Sequence, residues 1–192
     1  PLVGLCDYIG RFLLNRDFQQ MRSSLVILLL ILAIKLIHDR KLVAYMLVVL
    51  LAYQFHHLSL IGIPLYFLYK VRIGPISIIF SIVMAMLLSQ LIAGPMSDIV
   101  DDYSQDLNYD TYVQDEYVEQ ALGLSNPMIY FQIVILMVYT FMEPLLASKD
   151  KFYHLMRWAY FYSTLILIFF CNYTALSGRT STVFATCEMF VL

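Results

Sequence analysis

The feature that most constrains this chain is the length of its apolar runs. Crossing the hydrocarbon of a bilayer, about 30 Å, takes roughly 20 consecutive residues of helix, and fewer where the bilayer thins or a helix end is wet. Five stretches approach that length, Ser24–Ile37, Leu42–Leu68, Pro75–Ala93, Met128–Leu146 and Trp158–Leu176, and an incomplete sixth starts at Ser181. Backbone amides inside hydrocarbon must be satisfied within the segment itself, so these runs are read as helices. With 61% of the 192 residues hydrophobic and 14% charged, too little polar material remains to cover such runs with a water-facing surface. The sequence predicts an all-α, polytopic transmembrane protein, a single domain over residues 1–192 with about five to seven membrane segments.

Charge is informative by its distribution. The net formal charge of −2 is small, and no basic stretch resembles a nucleic-acid patch, so no nucleic acid is expected as a partner. Cys6, Cys171 and Cys187 are odd in number and lack CxxC spacing, which points to small core residues rather than a disulfide framework or a zinc site. The chain opens on "PLVGLCDYIGRF", with no initiator methionine or signal-peptide pattern, and closes on "CEMFVL" within an apolar run. Both ends read as cut from a longer protein.

One long polar segment interrupts the apolar pattern. Residues 96–127, "MSDIVDDYSQDLNYDTYVQDEYVEQALGLSNP", carry 8 of the 14 acidic residues and neither lysine nor arginine. It is expected as an acidic loop outside the cytoplasm, whereas "SKDKFYHLMR" (148–157), with Lys149, Lys151 and Arg157, is expected inside by the positive-inside rule. His38 and His154 fall in basic juxtamembrane stretches and are expected to be solvated.

The pair His56–His57 lies in the middle of the run Leu42–Leu68. An ionisable group at membrane depth is costly unless it faces protein or water, so it is read first as functional. The run is either one long tilted helix or two half-spans that turn back at the histidines. Counting cations does not choose, because each arrangement leaves 8 inside and 4 outside. Chemistry favours the hairpin. It brings Arg22 to the extracytoplasmic side, level with the histidine turn and with Arg179 of "LSGRTS", whereas a single span strands the histidines with no charged partner.

The stretch "MRSSLVILLLILAIKLIHDRKLVAYMLVVLLAYQFHHLSLIGIPLYFLYK" (21–70) resembles the EpsG/Wzy-type exopolysaccharide and O-antigen polymerases. Arg22 opens a helix, Arg40–Lys41 form a basic loop, and Phe55–His56 precede an apolar stretch with Pro64; later, Arg179 in "SGRTSTVF" precedes a phenylalanine-containing helix. The resemblance implies a GT-C-like glycosyltransferase of the bacterial inner membrane. It would join polyprenyl-diphosphate-linked oligosaccharide repeat units at the outer face, among membrane lipids, with a chain-length regulator and a flippase as protein partners. It also implies that the family's N-terminal helices would lie before Pro1.

On that reading Arg22 and Arg179 bind the leaving diphosphate, since a guanidinium offers a planar, permanently charged fork to phosphate oxygens. His56 is the candidate base for the attacking sugar hydroxyl. His57 and the tyrosines Tyr103, Tyr109 and Tyr112 are candidate substrate-binding groups, tyrosine rings being suited to sugar faces. No metal or other cofactor is expected, given two arginines and no DxD signature. Plainer readings stay open beside these: the arginines as helix-end residues snorkelling to headgroups, His56 as a buried polar group satisfied by a neighbouring helix, the tyrosines as an interfacial belt, and Ser59 as a packing residue. Glu188, nine residues after Arg179 on a continuous helix, would face nearly the opposite way. A lipid-linked oligosaccharide flippase or transporter, or a non-catalytic membrane subunit, is the competing class.

Overall fold

The computed structural model describes residues 21–68, 73–107, 122–147 and 152–190, together with Ile9. The described residues are helical and contain no strand. Seven α-helices follow in order: α1 (Met21–His38), α2 (Leu42–Tyr53), α3 (Gly62–Leu68), α4 (Pro75–Leu107), α5 (Pro127–Leu146), α6 (Tyr153–Phe169) and α7 (Thr174–Ala185). Short 3₁₀ segments cover His57–Ile61, Gly123–Ser125 and Thr186–Phe190.

Local chemistry sets several boundaries. At the start of α5 the Asn126 side chain accepts a hydrogen bond from the Met128 amide at 3.0 Å, and Pro127 occupies the first turn; both residues suit a helix N-terminus. Between α1 and α2 the Lys41 amide donates to Leu36 O and the Arg40 amide to Ile37 O, with Arg40 at φ 57°. This is a Schellman-type stop with an arginine where glycine is commoner. It sends α2 back along α1.

α6 is the hub of the bundle. Twelve of its 17 residues are buried, as expected of a helix enclosed on all sides, and α4, α5 and α7 all pack on it. The outer helices instead present apolar faces. Leu32, Val43, Ile76 and Leu91 are each more than 70% exposed, a pattern that water would penalise and lipid would not. Within α4 the stretch Pro75–Ala93, and the whole of α5, are long and apolar enough to cross a membrane; Ser24–His38 and Leu42–Tyr53 are shorter apolar helices.

The run Leu42–Leu68 is not one helix. α2 ends at Tyr53, a turn follows at Gln54–Phe55, and the chain resumes as the 3₁₀ segment from His57. It then doubles back. The Tyr53 and His57 rings meet at 4.8 Å, the Tyr45 hydroxyl donates to Gly62 O at 2.7 Å, and the Tyr45 and Tyr66 rings lie 5.5 Å apart. Tyr53 thus meets His57, while Tyr45, eight residues earlier, meets Gly62 and Tyr66, which is the signature of a hairpin. A Cβ on Gly62 would come within 2.9 Å of Leu30 Cδ2 and 3.1 Å of the Tyr45 oxygen, so glycine permits this close approach. Pro64 lies in the first turn of α3, where its missing N–H costs nothing.

Two other boundaries differ from the sequence reading. The segment expected as a loop from Met96 begins as helix, because α4 runs through Gly94–Pro95 to Leu107. The span expected at Trp158–Leu176 instead starts at Tyr153, stops at Phe169 and turns before α7. There Asn172 Nδ2 donates to Ser89 O and the Tyr173 hydroxyl donates to Ala93 O, each at 3.2 Å. Two side-chain tethers to α4 hold a turn that no glycine or proline marks.

Candidate functional site

Contacts between helices distant in sequence define two ends of the bundle. At one end the His38 ring meets Phe152 edge-on at 4.9 Å, Arg157 Nη2 donates to Ile73 O at 3.1 Å, and Arg157 Nη1 lies 2.7 Å from Glu143 Oε2. The end of α1, the starts of α4 and α6 and the end of α5 therefore meet there. This end carries Lys35, His38, Arg40, Lys41, His154 and Arg157. At the other end the Asn172 and Tyr173 tethers join α4 to the α6–α7 turn, and Gly123, at φ 52°, approaches Asn172 so closely that a Cβ would lie 3.1 Å from its Oδ1. The start of α5 therefore belongs to that end. The acidic continuation of α4 leaves the bundle from it.

The candidate residues sort between these ends as follows. α1 ends and α6 begins at the His38–Phe152 contact, so the two extend from it side by side with opposite chain directions, and both are about 26 Å long at 1.5 Å per residue. The backbone of Arg22 is therefore level with the far end of α6. The hairpin turn, with His56 and His57, is at that same end because α2 returns along α1, and α7, bearing Arg179 on its second turn, descends from there. The backbone positions of Arg22, His56, His57 and Arg179 thus share one end of the molecule, opposite the basic one. His56 is half-buried and His57 is exposed with its ring edge-on to Tyr53. Tyr103 lies on the outer part of α4. Tyr109 and Tyr112 lie outside the described residues.

α7 is the most distinctive element here. Its sequence, "TALSGRTSTVFA", is polar, yet Ser177, Thr180 and Ser181 are buried inside an apolar bundle. Ser163 Oγ on α6 donates to Ser181 O at 2.6 Å, Thr180 Oγ1 donates to Ser177 O at 3.4 Å, and Thr186 Oγ1 to Thr182 O at 3.0 Å. Satisfying these hydroxyls locally lets a polar helix sit within an apolar bundle.

Below Arg179 the chain is locked in place. The Tyr139 ring stacks on Tyr160 at 5.3 Å, the Tyr139 hydroxyl donates to Cys187 O, and the Tyr160 hydroxyl donates to Glu188 Oε2 at 2.9 Å. Glu188 is fully buried. α7 ends at Ala185 and a 3₁₀ segment follows, so Glu188 is not on a helix continuous with Arg179. Its partner comes from α6.

Several polar groups escape sequence reasoning. Gln132 on α5 is 3% exposed and its Oε1 has no hydrogen-bond partner; the Ser59 hydroxyl is likewise fully buried and without one. A buried acceptor or donor left unpaired costs about 1–3 kcal/mol. At the basic end, Arg157 is 2% exposed, its Nη1 contact with Glu143 lacks hydrogen-bond alignment, and Glu143 Oε1 also lies 3.3 Å from His154 Nδ1. His154 is therefore engaged with a carboxylate rather than simply solvated. A lone glutamine within a helix, or an arginine three residues after a histidine, carries no signal from which these partners could be read. Among the described residues no three His, Cys, Asp or Glu side chains group as metal ligands.

The model of the EpsG family matches this chain over residues 1–192. No curated protein and no solved structure matches it.

Proposed function

From the premise that this chain belongs to the EpsG family, we propose that it is a polysaccharide polymerase. It transfers an oligosaccharide from a polyprenyl diphosphate to a second lipid-linked oligosaccharide, at the outer face of a bacterial inner membrane that it crosses several times in a GT-C-like manner. The observation that carries the reading is the polar helix α7, with Ser177, Thr180 and Ser181 buried in an apolar bundle, which descends from the end where the backbones of Arg22, His56 and His57 also lie.

The chemistry follows from those residues. The acceptor hydroxyl oxygen attacks the anomeric carbon of the donor sugar, and the bond from that carbon to the diphosphate oxygen breaks. The electron pair leaves with the diphosphate, whose growing negative charge Arg179 and Arg22 neutralise. Charge stabilisation of this kind is strongest where water is scarce. His56 accepts the hydroxyl proton, since imidazole titrates near working pH. With two arginines doing the work of a divalent ion, the reaction needs no metal. His57, Tyr103, Tyr109 and Tyr112 contribute to sugar binding, tyrosine rings packing well on the apolar faces of sugars. A flippase supplies the lipid-linked units, and a chain-length regulator acts on the product.

Glycan length tests the reading. Loss of the protein is expected to leave single repeat units on the outer face, and restoring it to bring back long chains. Absence of even single units would instead indicate a flippase, and unchanged glycans a subunit without catalytic work.

A further inference from the structure

The basic end of the bundle holds a cavity of about 480 Å³, walled by Ile73, Gly74, Glu143, His154 and Arg157. That is within the usual range for small-molecule sites, about 300–1,000 Å³. It lies where the two longest apolar stretches stop, since Pro75 opens the one in α4 and Glu143 is in the last turn of the other, α5. A cavity at that level meets the headgroup layer of a bilayer rather than its hydrocarbon. Two opposite charges share its wall. Arg157 is almost fully buried, and its Nη1 lies 2.7 Å from Glu143 Oε2 but has no hydrogen-bond partner. Glu143 Oε1 lies 3.3 Å from His154 Nδ1, and about a third of the Glu143 side chain is open to solvent. The guanidinium thus has donor capacity to spare and the carboxylate has acceptor capacity to spare.

We propose that this cavity takes a phosphoethanolamine group, presented by a membrane lipid, with the phosphate on Arg157 and the ammonium on Glu143. A bare anion placed here meets the carboxylate as well as the guanidinium, and a bare cation meets the same conflict reversed. A headgroup that carries both charges satisfies both. Guanidinium is the side chain best matched to phosphate oxygens, and an ammonium donates charge-assisted hydrogen bonds to a carboxylate. Lys35, Arg40 and Lys41, at the same end of the bundle, favour approach of the phosphate. Glu143 closes α5, His154 and Arg157 open α6, and Ile73 and Gly74 lead into α4, so one headgroup ties three helix ends together. The site is remote from Arg22, His56 and Arg179, and it does not rest on the polymerase reading.

The experiment titrates the purified, delipidated full-length protein with lipids and counts bound molecules by native mass spectrometry. Dioleoyl phosphatidylethanolamine is expected to bind about tenfold tighter than dioleoyl phosphatidylcholine, whose quaternary ammonium has no N–H to donate to Glu143. It is expected to exceed dioleoyl phosphatidylglycerol, which has no cation, by a similar factor. Free phosphoethanolamine is expected to bind more weakly than the lipid. Gly74 supplies the variant: it is outside the left-handed region, and a Cβ there meets no atom within 4 Å. Gly74→Phe, which fills the cavity, is expected to abolish the preference for phosphatidylethanolamine, and Gly74→Ala to keep it, with the lipid-free melting temperature unchanged in both. Equal binding of the three lipids by the unaltered protein would overturn the proposal without recourse to any variant. A preference that survives in folded Gly74→Phe would overturn it by moving the lipid elsewhere, and free phosphoethanolamine binding as tightly as the lipid would overturn the membrane source.

Discussion

Arg179→Lys is expected to shorten glycan chains almost as severely as Arg179→Ala, although the positive charge is kept. A cation needed only for topology or headgroup contact is served by either residue, since both carry their charge on a long stem. A group that grips a diphosphate through two parallel N–H bonds is not, because an ammonium is a point donor without the planar fork. Losing one charge-assisted contact in a water-poor site costs on the order of 3 kcal/mol, or about a hundredfold in rate. Chain-length distributions at matched membrane abundance decide the matter. Wild-type chains from the lysine variant with short ones from the alanine variant would make Arg179 a generic cation. Wild-type chains from both would remove it from the site.

The second large effect is expected at the opposite end of the molecule, on stability. Arg157 is nearly fully buried, paired with Glu143 and hydrogen-bonded to Ile73 O, while the Glu143 side chain remains 32% exposed. Removing one member of a buried pair leaves the other without compensation, at a cost of about 3–5 kcal/mol when that survivor is enclosed. Glu143→Leu strands an enclosed guanidinium and falls in that range. Arg157→Leu leaves a carboxylate that can still reach water, so the cost is expected to be smaller. Unfolding in mild detergent should therefore rank Glu143→Leu as the more damaged variant, with the double replacement closer to wild type than Glu143→Leu alone. Equal damage from the two single variants would show that the pair contributes packing rather than charge compensation.

How much of this was legible in the sequence depended on how local the cause was. Apolar run length announced the helices, and the run Met128–Leu146 came within one residue of α5. The break at His56–His57 was legible for a related reason: titratable side chains interrupt an apolar run, and the structure resolves the open choice between one span and two half-spans in favour of a turn. The failures have distant causes. The apolar run ends at Ala93, yet α4 continues through Gly94–Pro95, and nothing in "FFCNYTA" predicted a turn, since its tethers Asn172 and Tyr173 find their acceptors 83 and 80 residues away. Arg157 was read only as a basic juxtamembrane residue, and its burial against Glu143 and Ile73 was not legible, because Ile73 lies 84 residues earlier. For Glu188 the premise of a continuous helix failed, because a 3₁₀ segment begins at Thr186.

The account stands or falls on Arg22 and the histidine turn lying on the outer side, with the "SKDK" stretch within. Cysteine accessibility measures this directly, in a chain whose native cysteines are replaced by alanine and whose glycan synthesis is intact. A cysteine at Ser23 is expected to react with an impermeant thiol reagent added to whole cells, and one at Ser148 only after the membrane is opened. Protection at Ser23, with Ser148 still shielded, would put Arg22 on the cytoplasmic side, away from Arg179, and dissolve the proposed site.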